Sequence, residues 1–259
     1  MTSDFKHKTH SRKSGFTTIE ISIVLIISGL MFTMLLQYYS VIKSRQAYEA
    51  TKERLVEIDD ALTSIVGMEG HYPCPADPTL PPNHDDYGVA IEICDICVDE
   101  TTRPLLSDGT PSNLICTQEG TRDIDGDGEN EFVVIGALPF RTLYESTSRL
   151  PVPFNQASGV DGYNNLFTYA VTEEMASNSY NPLRPVTPYI GAVHMIDENG
   201  TEMSDPPSSA QFVLISHGPN GKGGYTIQGT QIENCFVSST GAPPTPGYEP
   251  FGTTAGLNP

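Results

Sequence analysis

The sequence is poor in positive charge: 14 Lys and Arg residues stand against 32 Asp and Glu, which gives a formal net charge of −18 over 259 residues. Because nucleic-acid-binding surfaces need clustered positive charge, this balance argues against a nucleic-acid partner. Motifs of common enzymes are also absent, since no G-x-S-x-G, P-loop or H-E-x-x-H pattern occurs, and we expect no enzymatic activity. A mean hydropathy of −0.23 argues against a polytopic membrane protein, although such an average hides a single span.

One long apolar run is present, close to the N-terminus. Residues 16–36 contain a single charged side chain, Glu20, and the leader of residues 1–15 holds four basic residues against one acid. At about 1.5 Å of rise per residue the run makes a helix of about 31 Å, which matches a hydrocarbon core of about 30 Å. The basic leader predicts a cytoplasmic N-terminus, with the rest of the chain on the other side of the membrane.

Two simpler interpretations of the apolar run compete with a membrane span in which Glu20 has a function. A secretory signal peptide disagrees with the length of the run and with the lack of a small-x-small cleavage site after it. A plain signal anchor leaves Glu20 unexplained, because a carboxylate inside a span costs about 3 kcal/mol and usually has a function.

The residues around Glu20 resemble the processing signal of type IV pilins and pseudopilins. Residues 13–20 read Lys-Ser-Gly-Phe-Thr-Thr-Ile-Glu and join the basic leader directly to the apolar run. The resemblance implies that a prepilin peptidase cleaves after Gly15, that the new N-terminal residue Phe16 is methylated, and that Glu20 pairs with the terminal amine of a neighbouring subunit. A buried carboxylate is tolerable with such a partner. Gln37 stands where major pilins often have a helix-kinking proline, which favours a minor pilin or minor pseudopilin.

The chain beyond the apolar run continues with a helical pattern. An apolar stripe, with spacings of three, four and seven residues, predicts an amphipathic helix that packs on its own globular domain. A separate coiled-coil partner is the alternative. Pilin-like proteins share this plan, so the resemblance implies an α+β fold in which one long N-terminal helix packs on an antiparallel β-sheet with long loops. The stripe consists of Tyr48, Leu55, Ile58, Leu62 and Ile65.

The rest of the chain is predicted to be rich in β-strands. Runs of β-branched and aromatic residues are separated by loops and by no helical pattern of useful length, which favours antiparallel pairing. The predicted strands are 131–137, 166–172, 189–196, 211–216 and 225–228. We divide the chain into a leader (1–15), a transmembrane helical half (16–38), an amphipathic helical half (39–67), a globular domain (68–240) and a Pro/Gly-rich tail (241–259).

Two segments of the globular domain are similar to pseudopilin motifs. Residues 161–169 begin Asp-Gly-Tyr-Asn-Asn and resemble an Asp-x-Trp-Gly-Asn turn, with Tyr163 and Asn164 in place of Trp-Gly. Residues 216–224 resemble a Ser-x-Gly-x-Asp-Gly loop that helps to bind calcium in the major type II secretion pseudopilin. Asn220 replaces the Asp of that loop, so calcium is not expected there.

An acidic loop is the candidate calcium site. Residues 123–131 match the start of a D-x-D-x-D-G calcium loop, in which alternating carboxylates surround one point and Gly128 permits a sharp turn. Val134 replaces the usual Glu at loop position twelve, so the loop is not a complete EF-hand. A solvated acidic turn ahead of a strand is the alternative. The ligands predicted for a structural Ca²⁺ are Asp123, Asp125, Asp127, Glu129 and Glu131.

The five cysteines are predicted to form structural disulfides, since an exported domain meets an oxidising compartment. Two bridges with one cysteine left over allow many pairings, and the spacing does not select among them. A metal or redox role for the C-x-x-C pair is the alternative, although the sequence offers neither a second pair nor a βαβ context. The cysteines are Cys74, Cys94, Cys97, Cys116 and Cys235.

These observations together predict a structural subunit of a type IV filament, either a type II secretion pseudopilus or a type IV pilus. The expected partners are a prepilin peptidase and methyltransferase, other pilin or pseudopilin subunits, and an inner-membrane assembly platform. Before assembly, the chain is expected to span the bacterial inner membrane once, with its C-terminal domain in the periplasm. A filament-tip adhesin or cargo-binding minor pilin is the alternative function, and a membrane-anchored enzyme is a third.

Overall fold

The computed structural model describes residues 18–92, 104–117, 132–176, 191–197, 199–204 and 209–233. The chain divides into two compact units, Met1–Arg45 and Gln46–Pro259, and helix α1 contributes to both. The described helices are α1 (Thr18–Glu69), α2 (Phe140–Thr147) and α3 (Glu173–Ala176), and the strands are β1 (Ile115–Thr117), β2 (Val133–Ala137), β3 (Thr168–Thr172) and β4 (Phe212–Ile215). Two short 3₁₀ turns lie at Gln156–Gly159 and Gly218–Asn220.

The first part of α1 is apolar, and its large side chains from Ile19 to Ile42 are exposed. By length and composition, α1 is able to cross a membrane. Hydroxyl groups in this stretch donate to carbonyls one turn back in the same helix, as Ser28 Oγ does to Val24 O at 2.6 Å. The helix therefore satisfies such polar groups internally, as an apolar environment requires. The prediction of one long apolar helix near the N-terminus is confirmed.

The second part of α1 packs into the core of the second unit. Ile58, Leu62 and Ile65 are fully buried, as their helical spacing predicts, and Leu55 is partly buried against the same cluster. The stripe prediction is wrong for Tyr48, which is 59% exposed.

A loop backbone approaches α1 near Tyr48 too closely for a large side chain. A Cβ atom added to Gly162 would lie 2.0 Å from Ala47 O, and the neighbouring Thr51 is only 7% exposed. Small residues therefore make the contact at this level of the helix, and Tyr48 lies outside it.

A glycine directly follows the last residue of helix α1. Gly70 has φ of +83° and its N–H donates to Val66 O at 2.9 Å. Glycine adopts this left-handed ending without strain. The observed end at Glu69 is two residues beyond the predicted boundary at residue 67.

The four described strands form one antiparallel sheet in the order β1-β2-β3-β4, which confirms the antiparallel prediction. Ile135 of β2 pairs with Ala170 of β3, and Ala170 pairs in turn with Val213 of β4. The predicted strands 131–137, 166–172 and 211–216 correspond to β2, β3 and β4, each with shorter bounds in the structure. Strand β1 was not among the predicted strands.

Two further strand predictions are wrong in the part of the chain that the structure describes. The described residues of 189–196 and of 225–228 form isolated bridges, such as Val193 with Ala210, rather than strands. Segment 225–231 instead closes a turn, in which Thr226 N donates to Thr230 O at 2.9 Å.

Both faces of the sheet are covered. On one face Val134, Tyr169 and Val171 join the cluster that contains the buried residues of α1. On the other face Val133, Ile135 and Ala170 pack with Val193 in a second, smaller cluster. The alternation of the two clusters along β2 and β3 follows the two-residue period of a strand. Because both sets are apolar, β2 is buried along its whole length.

Helix α2 corrects the prediction that no helix of useful length intervenes between the strands. It begins directly after Pro139, the N-cap residue, which has no backbone N–H to leave unpaired. Its buried residues Phe140, Leu143 and Thr147 are spaced three and four apart, so one face contacts the core. Two turns are too short a stretch for this periodicity to stand out in the sequence.

Candidate functional site: the N-terminal helix and the Asp161 turn

Glu20 lies in the first turn of α1. The residues that follow it are the exposed apolar side chains of the first unit. Gly15 and Phe16 lie outside the described residues, so the processing site before Glu20 stays a prediction.

Asp161 is a buried carboxylate at the start of the turn before β3, and its side chain is 0% exposed. Its Oδ1 accepts the N–H groups of Tyr163 and Asn165, both at 2.9 Å. Its Oδ2 accepts the hydroxyl of Ser216 at 2.8 Å. Three donors therefore replace the water that a buried carboxylate loses.

These hydrogen bonds bring together the two segments that resemble pseudopilin motifs. Besides the bond from Ser216, Asn165 Nδ2 donates to Gly218 O at 3.1 Å. A Cβ atom on Gly221 would lie 2.9 Å from Asn165 Oδ1, so the two loops are in close contact there. We call residues 161–165 together with 216–221 the Asp161 turn.

Asn164 has φ of +68° and is the single described non-glycine residue with a positive φ. It occupies the position at which the similar pseudopilin turn has glycine. Asparagine is the non-glycine residue that tolerates the left-handed region best, together with aspartate. The exchange of Gly for Asn is therefore compatible with the same local backbone.

Three side chains of α1 hold the loop that leads into the Asp161 turn. Thr51 Oγ1 accepts the N–H of Gly162 at 2.9 Å. Arg54 Nη1 donates to the carbonyls of Val160 and Asp161, at 2.8 and 2.9 Å.

Glu57 continues the same row one turn further along α1. Its Oε1 accepts the N–H of Asn155 at 2.8 Å, and its Oε2 accepts the hydroxyl of Ser158 at 2.5 Å. We call Thr51, Arg54 and Glu57 the helix clamp. Because each is three residues after the last, they lie on one side of the helix.

Sequence reasoning missed the helix clamp. Arg54 and Glu57 are charged residues outside the apolar stripe, so the helical pattern predicts no contact with the globular domain for them. Their partners lie about one hundred residues away in the chain, so no local pattern marks them. The one available signal was that they border the buried stripe next to Leu55 and Ile58.

In the described part of the chain, the pKa shifts of Tyr169 and Asp197 have causes that belong to the fold. Burial raises the pKa of the Tyr169 hydroxyl well above its usual value, with a smaller contribution from Tyr72, and this hydroxyl donates to Pro73 O at 3.1 Å. The N–H groups of Thr201 and then Asn199 lower the pKa of Asp197. These shifts reflect burial and turn hydrogen bonds.

The predicted calcium ligands Asp123, Asp125, Asp127, Glu129 and Glu131 lie outside the described residues. Within the described residues no group of three or more His, Cys, Asp or Glu side chains is arranged to hold a metal ion. In the 216–224 loop, Asn220 Oδ1 accepts the N–H of Lys222 at 3.3 Å.

Cys74 is buried in the main cluster and is disulfide-bonded. Cys94, Cys97 and Cys235 lie outside the described residues, and Cys116 lies on β1. Disulfides of the other cysteines therefore stay a prediction, and the choice among the pairings stays open.

Comparison with protein-family models, with curated proteins and with solved structures finds no match.

Proposed function

We propose that this chain is a pilin-like structural subunit of a type IV filament, made as a precursor and assembled through its N-terminal helix. The observation that carries the proposal is α1 itself. One continuous helix begins with an apolar stretch that contains Glu20 and continues into an amphipathic stretch packed in the core beside an antiparallel sheet. Such a helix serves as a membrane span before assembly and as a packing element between subunits afterwards.

Glu20 gives the proposal its chemistry. A carboxylate in an apolar helix is expensive unless an opposite charge accompanies it. Cleavage after Gly15 would create such a charge, the terminal amine of Phe16, on each processed subunit. A carboxylate of an incoming subunit that meets this amine on its neighbour would set the register of the apolar helices.

The Asp161 turn supports a relation to pseudopilins in particular. Two segments that resemble pseudopilin motifs lie more than 50 residues apart in the sequence and are hydrogen-bonded to each other in the structure. Asn164 adopts the backbone that the glycine of the similar motif would allow. This favours a minor pseudopilin of a type II secretion system over a major pilin, with a non-catalytic role in the filament.

The experiment that tests the proposal is processing by a prepilin peptidase. The full chain is coexpressed with the peptidase, and the mass of its N-terminal peptide is measured. We expect loss of residues 1–15 and a methylated Phe16, and we expect a Gly15→Leu control to keep the leader. A chain that keeps residues 1–15 beside an active peptidase, shown active on a reference prepilin, would contradict the proposal.

A further inference from the structure

The sequence holds one Asn-x-Ser/Thr triplet whose middle residue is not proline, Asn199-Gly200-Thr201. This triplet is the acceptor pattern for asparagine-linked glycosylation when it lies in an exposed loop of an exported protein. The proposed assembly through α1 makes no use of it. Its structural surroundings therefore decide whether the pattern is accessible.

The triplet lies at the tip of a narrow hairpin. Ile196 and Glu202 form a bridge, and Asp197 N donates to Thr201 O at 2.8 Å. Gly200 has φ of +78°, and a Cβ atom built on it meets nothing within 4 Å. All three residues of the triplet are exposed, so the tip is open to a large enzyme.

The turn also fixes how the asparagine is presented. Asp197 Oδ1 accepts the N–H groups of Asn199 and Thr201, each at 2.8 Å, which holds the backbone of the triplet. The reactive nitrogen itself is weakly engaged, since Asn199 Nδ2 lies 3.4 Å from Asp197 Oδ2. A hydrogen bond of that length is easily given up to a new partner.

The base of the hairpin packs on the sheet, while apolar side chains near its tip are exposed. Val193 is buried against the second cluster of the sheet, beside Ile135 and Ala170. Near the tip, Ile196 is 47% and Met203 is 66% exposed. A hydrophilic glycan on the tip would cover these two apolar side chains without disturbing the sheet below.

We propose that Asn199 is an acceptor site for asparagine-linked glycosylation, with a lipid-pyrophosphate-linked oligosaccharide as the donor. The Asn199 Nδ2 forms a bond to the anomeric carbon of the first sugar. The bond from that carbon to the pyrophosphate oxygen breaks, the lipid pyrophosphate leaves with the electron pair, and the amide loses one proton. No redox change occurs. In the cell, the site rests on the proposed function, because the hairpin must reach the exported side of the membrane.

The test uses the purified full chain in detergent, with a purified bacterial oligosaccharyltransferase and its lipid-linked donor. We expect the intact mass to rise by one glycan, and peptide mapping to place it on Asn199. Asn199→Gln and Thr201→Ala are expected to abolish the gain, and Thr201→Ser to retain it. Melting curves that match the parent chain would show that these exposed substitutions leave the fold intact.

A synthetic peptide of residues 193–205 provides the comparison with an unfolded acceptor. If the enzyme modifies this peptide and leaves the folded chain unmodified, the proposal is overturned. It is also overturned if neither is modified while the enzyme's reference acceptor is, or if the glycan is mapped to another residue. The reaction requires neither leader cleavage nor filament assembly, so its outcome is independent of the prepilin assignment.

Discussion

At the scale of single residues, Asp161 joins three parts of the chain. Its carboxylate binds its own turn and the hydroxyl of Ser216, while its backbone carbonyl accepts a hydrogen bond from Arg54 of α1. Because the side chain is fully buried, removal of the carboxylate would leave several buried donors without an acceptor.

We therefore expect Asp161→Ala to lower the free energy of unfolding by about 3 kcal/mol. Asp197→Ala is the matched control, because Asp197 also accepts two backbone N–H groups, but at an exposed hairpin tip. Chemical denaturation of the full chain in detergent measures both. Equal losses for the two variants would show that burial of Asp161 is not the cause.

Glu20 carries the second prediction at this scale. Glu20→Ala is expected to be cleaved normally but to enter filaments at least about tenfold less, since an amine left without its partner costs about 3 kcal/mol or more. Gln37→Ala, in the same helix, is the control and should assemble like the parent. The measurement is the fraction of the subunit in sheared filaments, and normal incorporation of Glu20→Ala would refute the docking role.

The residues of the candidate site differ in how well the sequence alone predicts their roles. Glu20 stands out because it is the single charge in an apolar run. Arg54 and Glu57 do not, because the carbonyl and hydroxyl groups that they bind come from a distant loop. Asn164 is intermediate: its position in a motif indicates the left-handed backbone, while the sequence alone does not show which loop the turn contacts.

At the scale of elements, helix α1 and the loop 155–162 pack closely against each other. The loop approaches so closely that Gly162 meets the backbone of Ala47. A side chain at this position would push the loop away from α1 and lengthen the bond from Gly162 N to Thr51.

Gly162→Ala is accordingly expected to destabilise the fold by about 2 kcal/mol, as overpacking against backbone does. Gly67→Ala is the control, because Gly67 lies inside α1 with nothing within 4 Å of an added Cβ, and alanine there should stabilise the helix by about 0.8 kcal/mol. The melting temperatures of the two variants should thus shift in opposite directions from that of the parent chain. A neutral Gly162→Ala would contradict the close approach.

The acidic segment 123–131 lies outside the described residues, and we propose Ca²⁺ as its ligand on the basis of its alternating carboxylates. Calcium is expected to raise the melting temperature of the full chain relative to EDTA, because a ligand bound by the folded state stabilises it. Asp125→Asn with Asp127→Asn should abolish the shift, while Asp59→Asn on α1 should not. A chain whose melting does not respond to calcium would contradict the proposal.

The sequence predicted an element well when its periodic pattern was long and missed an element whose pattern was short. The stripe from Leu55 to Ile65 spans almost three turns of a long helix. Its residues Ile58, Leu62 and Ile65 are buried as predicted. Helix α2 has only eight residues and strand β1 only three, and neither produces a pattern long enough to separate it from loop. The start of β3 was predicted two residues too early, because the apolar residues Leu166 and Phe167 before the strand are also buried in this core.

At the scale of the whole molecule, the chain contains two compact units that differ in how their apolar side chains are covered. The unit Met1–Arg45 holds an apolar helical stretch that is long enough to cross a membrane and whose large side chains are exposed. The unit Gln46–Pro259 holds both clusters of the core and the whole helix clamp. Its stability should therefore depend little on the residues before 46.

We expect a chain of residues 46–259 to fold without detergent and to melt within a few degrees of the full chain. A chain of residues 59–259 is the matched control, since it also lacks Thr51, Arg54, Glu57 and the fully buried Ile58. It should be several kcal/mol less stable, because it loses a buried apolar side chain and all bonds of the clamp. Equal melting of the two shortened chains would show that the clamp is dispensable.

The helix clamp has a mechanical consequence. Its three side chains are spread over about 9 Å of the helix axis, and their five hydrogen bonds attach to one loop. Tension along α1 would load these bonds side by side in shear, so that the loop could slide along the helix only when all five fail together. A molecule pulled by α1 would thus transmit force into its sheet through this short row of contacts.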